Sequence, residues 1–387
     1  MKLTDITNPR RMKGAAYVLV APLLALAFSF LISTLVLALS GNSAIDAYRL
    51  MWDFGTRLES IVSTINRAIP YYVAGVAVAI GFKMNLFNIG VEGQFRISFL
   101  IAAWAGAELA LPGPINIVFL MAVAMTVGGL WAGGIGLLKV TRGVNEVVSS
   151  IMLNFTAYAL ISYLLLTYLQ YDDPDSLVTQ TRTLPQDSRI PNLDWLVNAI
   201  PGVRELRPRD HLSGFLVGAI VIGVLYYLVV WRTRFGYDLR ATGANPWAAR
   251  ASGVDPRRMI VTTMVLSGAV AGLIGMTELL SQRYRFDTDI ATGVGFTGIG
   301  VALLGRNNPI GIAAGAFLFG FLERSAQILD LEGIPKEIVQ IMQGVILISV
   351  VIAYEVVDRF RRAQEAREIA RIEPEALAPA AATGARA

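Results

Sequence analysis

The chain has 387 residues, 55% of them hydrophobic and only 16% charged, with a net charge of +4 and no cysteine. Soluble domains carry about 25% charged residues, so the composition argues against an ordinary soluble enzyme and for a membrane protein. The absence of cysteine excludes disulfides and thiolate metal sites, and the single His211 argues against a histidine metal centre or a Ser-His-Asp triad.

A crossing helix needs about 20 mostly apolar residues. In chain order the uncharged runs are Gly14–Ile45, Ala68–Phe82 with its upstream extension, Ile97–Ala107, Leu109–Leu138 and Val147–Tyr171. They continue with Leu212–Trp231, Met259–Thr277, Ile290–Gly305, Asn307–Leu322 and Ile338–Tyr354. The expectation is an all-α polytopic membrane protein of ten transmembrane helices. The first run is too long for a signal-peptide core and is read as a retained signal anchor.

Basic residues fall between these runs rather than on one patch, which speaks for topology and against nucleic acid. With the N-terminus inside, the majority of the 33 Lys and Arg residues lie on the cytoplasmic side, Lys83, Arg96, Lys139 and Arg306 among them. Residues 1–13 then form a cytoplasmic N-terminus, residues 14–356 the membrane domain, and residues 357–387 a partly disordered cytoplasmic tail. Residues 172–211 form an ordered external cap or irregular loop carrying Pro174, Pro185, Pro191, Pro201 and Pro208, and residues 232–258 form a cytoplasmic segment.

Several runs are short and broken by glycine. Gly81 to Gln94 joins two of them, Gly293 to Gly300 opens another, and Gly305 to Gly311 separates the next pair. Interrupted spans at matching places in two halves point to the substrate path of a transporter. Matching spans two to five with spans seven to ten gives an inverted repeat, which the resemblance of Glu146–Met152 to Glu337–Met342 supports. Alternatively, the glycines only allow close helix packing.

The cytoplasmic segment contains Arg240, Gly243, Asn245-Pro246-Trp247-Ala248-Ala249 and then Gly253 and Pro256. Asn245-Pro246 starts a short helix, Gly253 ends it, and Pro256 begins the return. Such a knob suits a groove on another protein, although an ordinary positive-inside loop has the same composition. Trp247-Ala-Ala-Arg-Ala-Ser-Gly253 resembles the EAA loop of bacterial ABC importer permeases, with Trp247 in place of the motif's Glu. Asn88-Ile-Gly-Val-Glu-Gly-Gln94 resembles the branch that carries branched-chain amino acids, simple sugars and nucleosides. Gly143–Asn154 and Gly305–Gly311 resemble its nucleoside and simple-sugar members.

That resemblance implies ten helices per subunit, an inverted repeat and a pathway at the interface of two permease subunits. It implies as partners an ABC ATPase, a second permease that is a copy or a homologue, and an extracytoplasmic substrate-binding lipoprotein. The surroundings would be lipid of the bacterial inner membrane, with both termini cytoplasmic. No Gly-x4-Gly-Lys-Ser/Thr loop occurs, so ATP would be used by the partner, with no cofactor on this chain and no enzymatic activity of its own.

Ionisable residues in or near the membrane are Arg67, Glu92, Glu108, Glu146, Glu278, Glu323 and Arg324. Most lie near span ends, where snorkelling satisfies them. Glu92, between Gly90 and Gly93, either contacts substrate or caps amides of a broken helix. Asn85, Asn88, Gln94 and Asn154 are further pathway candidates through hydrogen bonding, and Phe296 through stacking. Each of these also has a plain packing reading. The expected function is import of nucleosides or related sugar-like solutes by alternating access. The alternatives are an ion-coupled secondary transporter using Glu92 and a membrane scaffold.

Overall fold

The computed structural model describes residues 9–172, 178–200, 206, 210–335, 337–353, 355–357, 359, 362 and 363. The expected disordered tail beyond 363, residues 1–8, and Pro174, Pro201 and Pro208 lie outside the described residues. The described residues are helical apart from loops and a single isolated bridge. The helices are α1 (Pro9–Leu39), α2 (Ala44–Gly55), α3 (Leu58–Phe82), α4 (Val91–Leu109), α5 (Gly113–Arg142), α6 (Glu146–Leu169) and α7 (Asp194–Asn198). They continue as α8 (Phe215–Arg232), α9 (Arg234–Ala244), α10 (Pro246–Ala251), α11 (Pro256–Gln282), α12 (Val294–Leu304), α13 (Pro309–Leu331) and α14 (Glu337–Val357).

Among the described residues, seven helices are individually long and apolar enough to cross a membrane: α3, α5, α6, α8, α11, α13 and α14. The other three predicted crossings fall on α1, α4 and α12. Helix α4 keeps Glu92, Arg96 and Glu108 in its 19 residues and is buried along most of its length. Helix α12 has 11 residues. At 1.5 Å per residue it cannot cross about 30 Å of hydrocarbon. Among the described residues, the ten expected crossings thus comprise seven full-length apolar helices, the short or charged α4 and α12 packed against helices of the larger unit, and the 31-residue α1 of the terminal unit.

Two compact units divide the chain, residues 45–336 and the terminal pair 1–44 with 337–387. In the terminal unit Ser29 Oγ donates to the Met342 carbonyl at 3.4 Å. In the larger unit α3 is central and meets α8, α11, α12 and α13, and its residues from Val73 to Gly81 are buried throughout. Helix α5 packs along α11 as α13 packs along α3, and α4 meets α11 as α12 meets α3. This is the pairing expected when spans two to five exchange with spans seven to ten. Small residues permit both long contacts. A Cβ on Gly268 of α11 would stand 2.2 Å from the Gly128 carbonyl oxygen of α5, so the two backbones touch directly.

The 172–211 segment is ordered where described. Thr181 donates its amide to the Phe286 carbonyl at 2.9 Å, Leu184 to Tyr284 at 2.8 Å and Ile190 to Leu280 at 2.9 Å. These bonds lay it across the chain that leaves α11.

Candidate functional site

The break between α3 and α4 begins with Lys83-Met84-Asn85. Asn85 takes a left-handed backbone, φ 54°, which asparagine tolerates better than most residues. Its side-chain amide donates to the Gly243 carbonyl at 2.8 Å. Gly243 lies directly on this turn: a Cβ there would be 2.7 Å from both the Lys83 oxygen and the Met84 Cα. Met84 and Leu86 join Leu239, Met259, Met264 and Ile135 in one buried cluster. The 232–258 segment is therefore seated on the break by backbone contact and by an apolar core. Lys83 and Arg240 both lie over the Trp231 ring, at 4.8 and 4.4 Å. Burial pushes the Lys83 ammonium below the usual lysine range, and Arg240 and Arg306 push it the same way.

Within that segment the Asn245 side chain caps α10 by accepting from the Trp247 and Ala248 amides at 3.0 and 3.1 Å, and Pro246 fills the first helical position. Gly253 ends it at φ 87°. The Gly253 amide reaches the Arg250 carbonyl and the Val254 amide reaches Ala249, the bond pair of a Schellman stop. Asp255 then caps α11 behind Pro256. Ala249 and the Leu239 side chain point inward, while Trp247 is 78% exposed.

The rest of the break is a hub tied to three other helices. Asn88 and Gln94 exchange a pair of amide bonds at 2.9 and 2.8 Å, and Asn88 also reaches Ser267 of α11 at 2.8 Å. Asn154 of α6 accepts from the Gly93 amide at 2.9 Å and donates to the Ile89 carbonyl at 3.1 Å. Glu92 is fully buried. One carboxylate oxygen accepts from Arg96 Nε at 2.8 Å and the Gly293 amide at 2.9 Å, and the other from the Gly295 amide at 2.7 Å. The negative group thus sits on the N-terminus of α12, where free amides and the helix dipole favour it.

The carboxylate of Glu92 is thus engaged by protein donors, in the geometry of a helix cap rather than of an open substrate contact. Asn88, Gln94 and Asn154 are likewise buried and bonded to protein. Phe296 is 43% exposed on α12 and does not join the hub.

Arg96 is corrected by the structure. Counted in the sequence as a cytoplasmic charge, it is instead buried within α4, paired with Glu92 and donating to the Ala291 carbonyl at 2.8 Å. Its i, i+4 spacing from Glu92 was the available signal. A cavity of about 300 Å³, with no local signature in the sequence, lies at the opposite end of α3 from the 232–258 segment. Arg67, Tyr71 and Glu323 meet on its wall, with Glu323 accepting from both partners. Across from them Glu278 pairs with Arg283 at 3.0 Å. Ala291, Val294 and Phe95 also line the cavity. The segment that Glu92 and Arg96 hold is therefore part of this cavity's lining.

The family described as branched-chain amino acid transport system / permease component matches residues 60–351. The guanosine ABC transporter permease protein NupP of Bacillus subtilis (strain 168) is 33% identical over 87% of this chain and 94% of its own. The glucose ABC transporter permease protein TsgB13 of Haloferax volcanii is 29% identical over 89% and 90%. The nucleoside ABC transporter permease protein NupB of Lactococcus lactis subsp. cremoris is 27% identical over 86% and 90%. These likenesses give no support to ion coupling through Glu92, whose carboxylate is in any case held by two amides and a guanidinium.

Proposed function

Because the chain belongs to the family of branched-chain amino acid transport permease components, we propose that it moves nucleosides or related sugar-bearing solutes inward across the bacterial inner membrane. It works as one permease of an ABC importer, with both termini in the cytoplasm. Its partners are an ABC ATPase, a second permease and a substrate-binding lipoprotein. ATP is used by the ATPase, and this chain binds no cofactor and catalyses no reaction.

The observation that carries the reading is a continuous physical route from the knob to the cavity. Gly243 rests on Met84, and Asn85 bonds to it. The same turn leads into Asn88, Glu92 and Arg96, and the last two grip residues 291–295, part of which lines the cavity. Closure of an ATPase dimer against Trp247 would displace α10. Because interior contacts are close-packed, that displacement passes into the break rather than being absorbed. Movement of 291–295, part of the cavity's lining, then changes access to the cavity, as alternating access requires.

The test is reconstitution of the complex in proteoliposomes, with external binding protein and internal ATP. Guanosine uptake should require hydrolysable ATP. Uptake at the full rate without ATP would overturn the reading.

A further inference from the structure

The charged groups that line the cavity near Arg67 are ones that the hub does not use. Its carboxylates are Glu59, Asp210, Glu278 and Glu323, and its guanidiniums are Arg67 and Arg283. His211, also on the lining, is bonded to Asp194 at 2.6 Å. Carboxylates thus outnumber guanidiniums, and both guanidiniums are engaged by carboxylates of this chain. An anionic group entering here would meet an excess of negative charge, with both guanidiniums already facing carboxylates of this chain. A neutral hydroxylated solute meets the reverse situation, because carboxylate oxygens accept hydroxyl protons and each oxygen has room for more than one donor.

The aromatic content narrows the class further. The six-membered rings on the lining, Tyr71, Phe95 and Phe99, are all buried, at 8%, 2% and 0% exposure, whereas the His211 imidazole is exposed. Phe99 is packed edge-on against Phe286 at 5.2 Å, and Tyr71 gives its hydroxyl to Glu323. None of these three presents an open face on which a planar base could stack. The exposed polar side chains on the lining are His211, Gln282 and Arg283. A volume of about 300 Å³ lies at the small end of ligand pockets and suits one small solute. The solutes in the names of the relatives, guanosine, nucleosides and glucose, share a hydroxylated ring and differ in whether they carry a base.

We infer that this cavity is a solute-reading site inside the single permease chain, selective for the hydroxyls of an uncharged sugar ring. The inference rests on the transport reading above. Glu278 and Glu323 accept the ring hydroxyls, held in position by Arg283 and by Arg67 with Tyr71, and Gln282 supplies an amide at the rim. The net negative lining turns away phosphorylated forms.

The experiment compares wild type with Glu323→Gln and Gln282→Ala, each as the full chain with its ATPase, second permease and binding protein. Uptake is measured for guanosine, adenosine and 2′,3′-dideoxyguanosine. The binding protein is the same throughout, so a change in a ratio belongs to the permease. The guanosine-to-dideoxyguanosine ratio should fall at least 5-fold in Glu323→Gln and 2-fold or more in Gln282→Ala. The guanosine-to-adenosine ratio should stay within 2-fold. Gln282 is exposed, so its variant stays informative even where Glu323→Gln reduces the amount of complex. Wild-type uptake with both ratios unchanged in the variants, or a shift in the base ratio instead, overturns this inference alone. Absence of ATP-dependent nucleoside uptake in wild type overturns the transport reading and this inference with it.

Discussion

The carboxylate of Glu92 receives the amide of Gly295 at 2.7 Å across 203 residues of sequence. Because the same carboxylate also binds Gly293 and Arg96, a Gln at position 92 has one acceptor oxygen too few and no charge for Arg96. Removing one partner of a buried ion pair costs about 3–5 kcal/mol. Glu92→Gln is expected to lower the melting temperature of the substrate-free complex and to reduce uptake at least 10-fold. A thermal melt in nanodiscs checks the first part. A normal melt with only a raised KM would mean that Glu92 touches solute rather than the helix terminus.

Gly243 tests the link from knob to break. A Cβ there collides with the Lys83 oxygen and the Met84 Cα at 2.7 Å. Gly243→Val is expected to keep the ATPase bound while uptake per ATP hydrolysed falls at least 5-fold. The paired measurement is phosphate release against guanosine uptake in the same vesicles. An unchanged ratio would show that this contact transmits nothing.

At Gly253 the constraint is backbone conformation, since nothing lies within 4 Å of an added Cβ and φ is 87°. A β-branched residue at such a position costs on the order of 1–2 kcal/mol, whereas asparagine is better tolerated. Gly253→Val should weaken ATPase copurification, and Gly253→Asn should restore most of it. Equal behaviour of the two variants would remove the stop of α10 from the docking account.

Trp247 is 78% exposed on a helix whose inner face is buried. Large aromatic side chains at the centre of an interface contribute about 2 kcal/mol or more when truncated. Trp247→Ala should weaken ATPase affinity at least 10-fold, read by titration of the detergent-solubilised permease. Its melting temperature in the absence of the ATPase should be unchanged.

Apolar runs located every long helix of the larger unit, because crossing a bilayer demands a length and composition that few other segments share. Asn245, Gly253 and Pro256 were legible for a similar reason: caps and stops are local, and their chemistry lies within a few residues of the bonds they make. The role of Glu92 was half legible. That a carboxylate between Gly90 and Gly93 would meet helix amides could be read, but the amides belong to Gly293 and Gly295, and no local pattern links them. Arg96 was misplaced because charge counting treats every arginine between apolar runs as solvated. The cavity escaped notice altogether: Arg67 and Glu323 come together from α3 and α13, separated by 256 residues.

The long reach of the Glu92 bonds also sets an order of events during synthesis. At about 5–20 residues per second, α12 emerges roughly 10–40 s after α4. Through that interval the N-terminal half holds a carboxylate whose amide partners do not yet exist. Until then Glu92 has its Arg96 partner on α4 but lacks two of its donors, and an incompletely bonded buried ion pair is costly, so α4 reaches its final setting only when α12 arrives. The two halves of the larger unit therefore mature together, and a ribosome stalled before residue 293 leaves an inserted but unfinished product for quality control to remove.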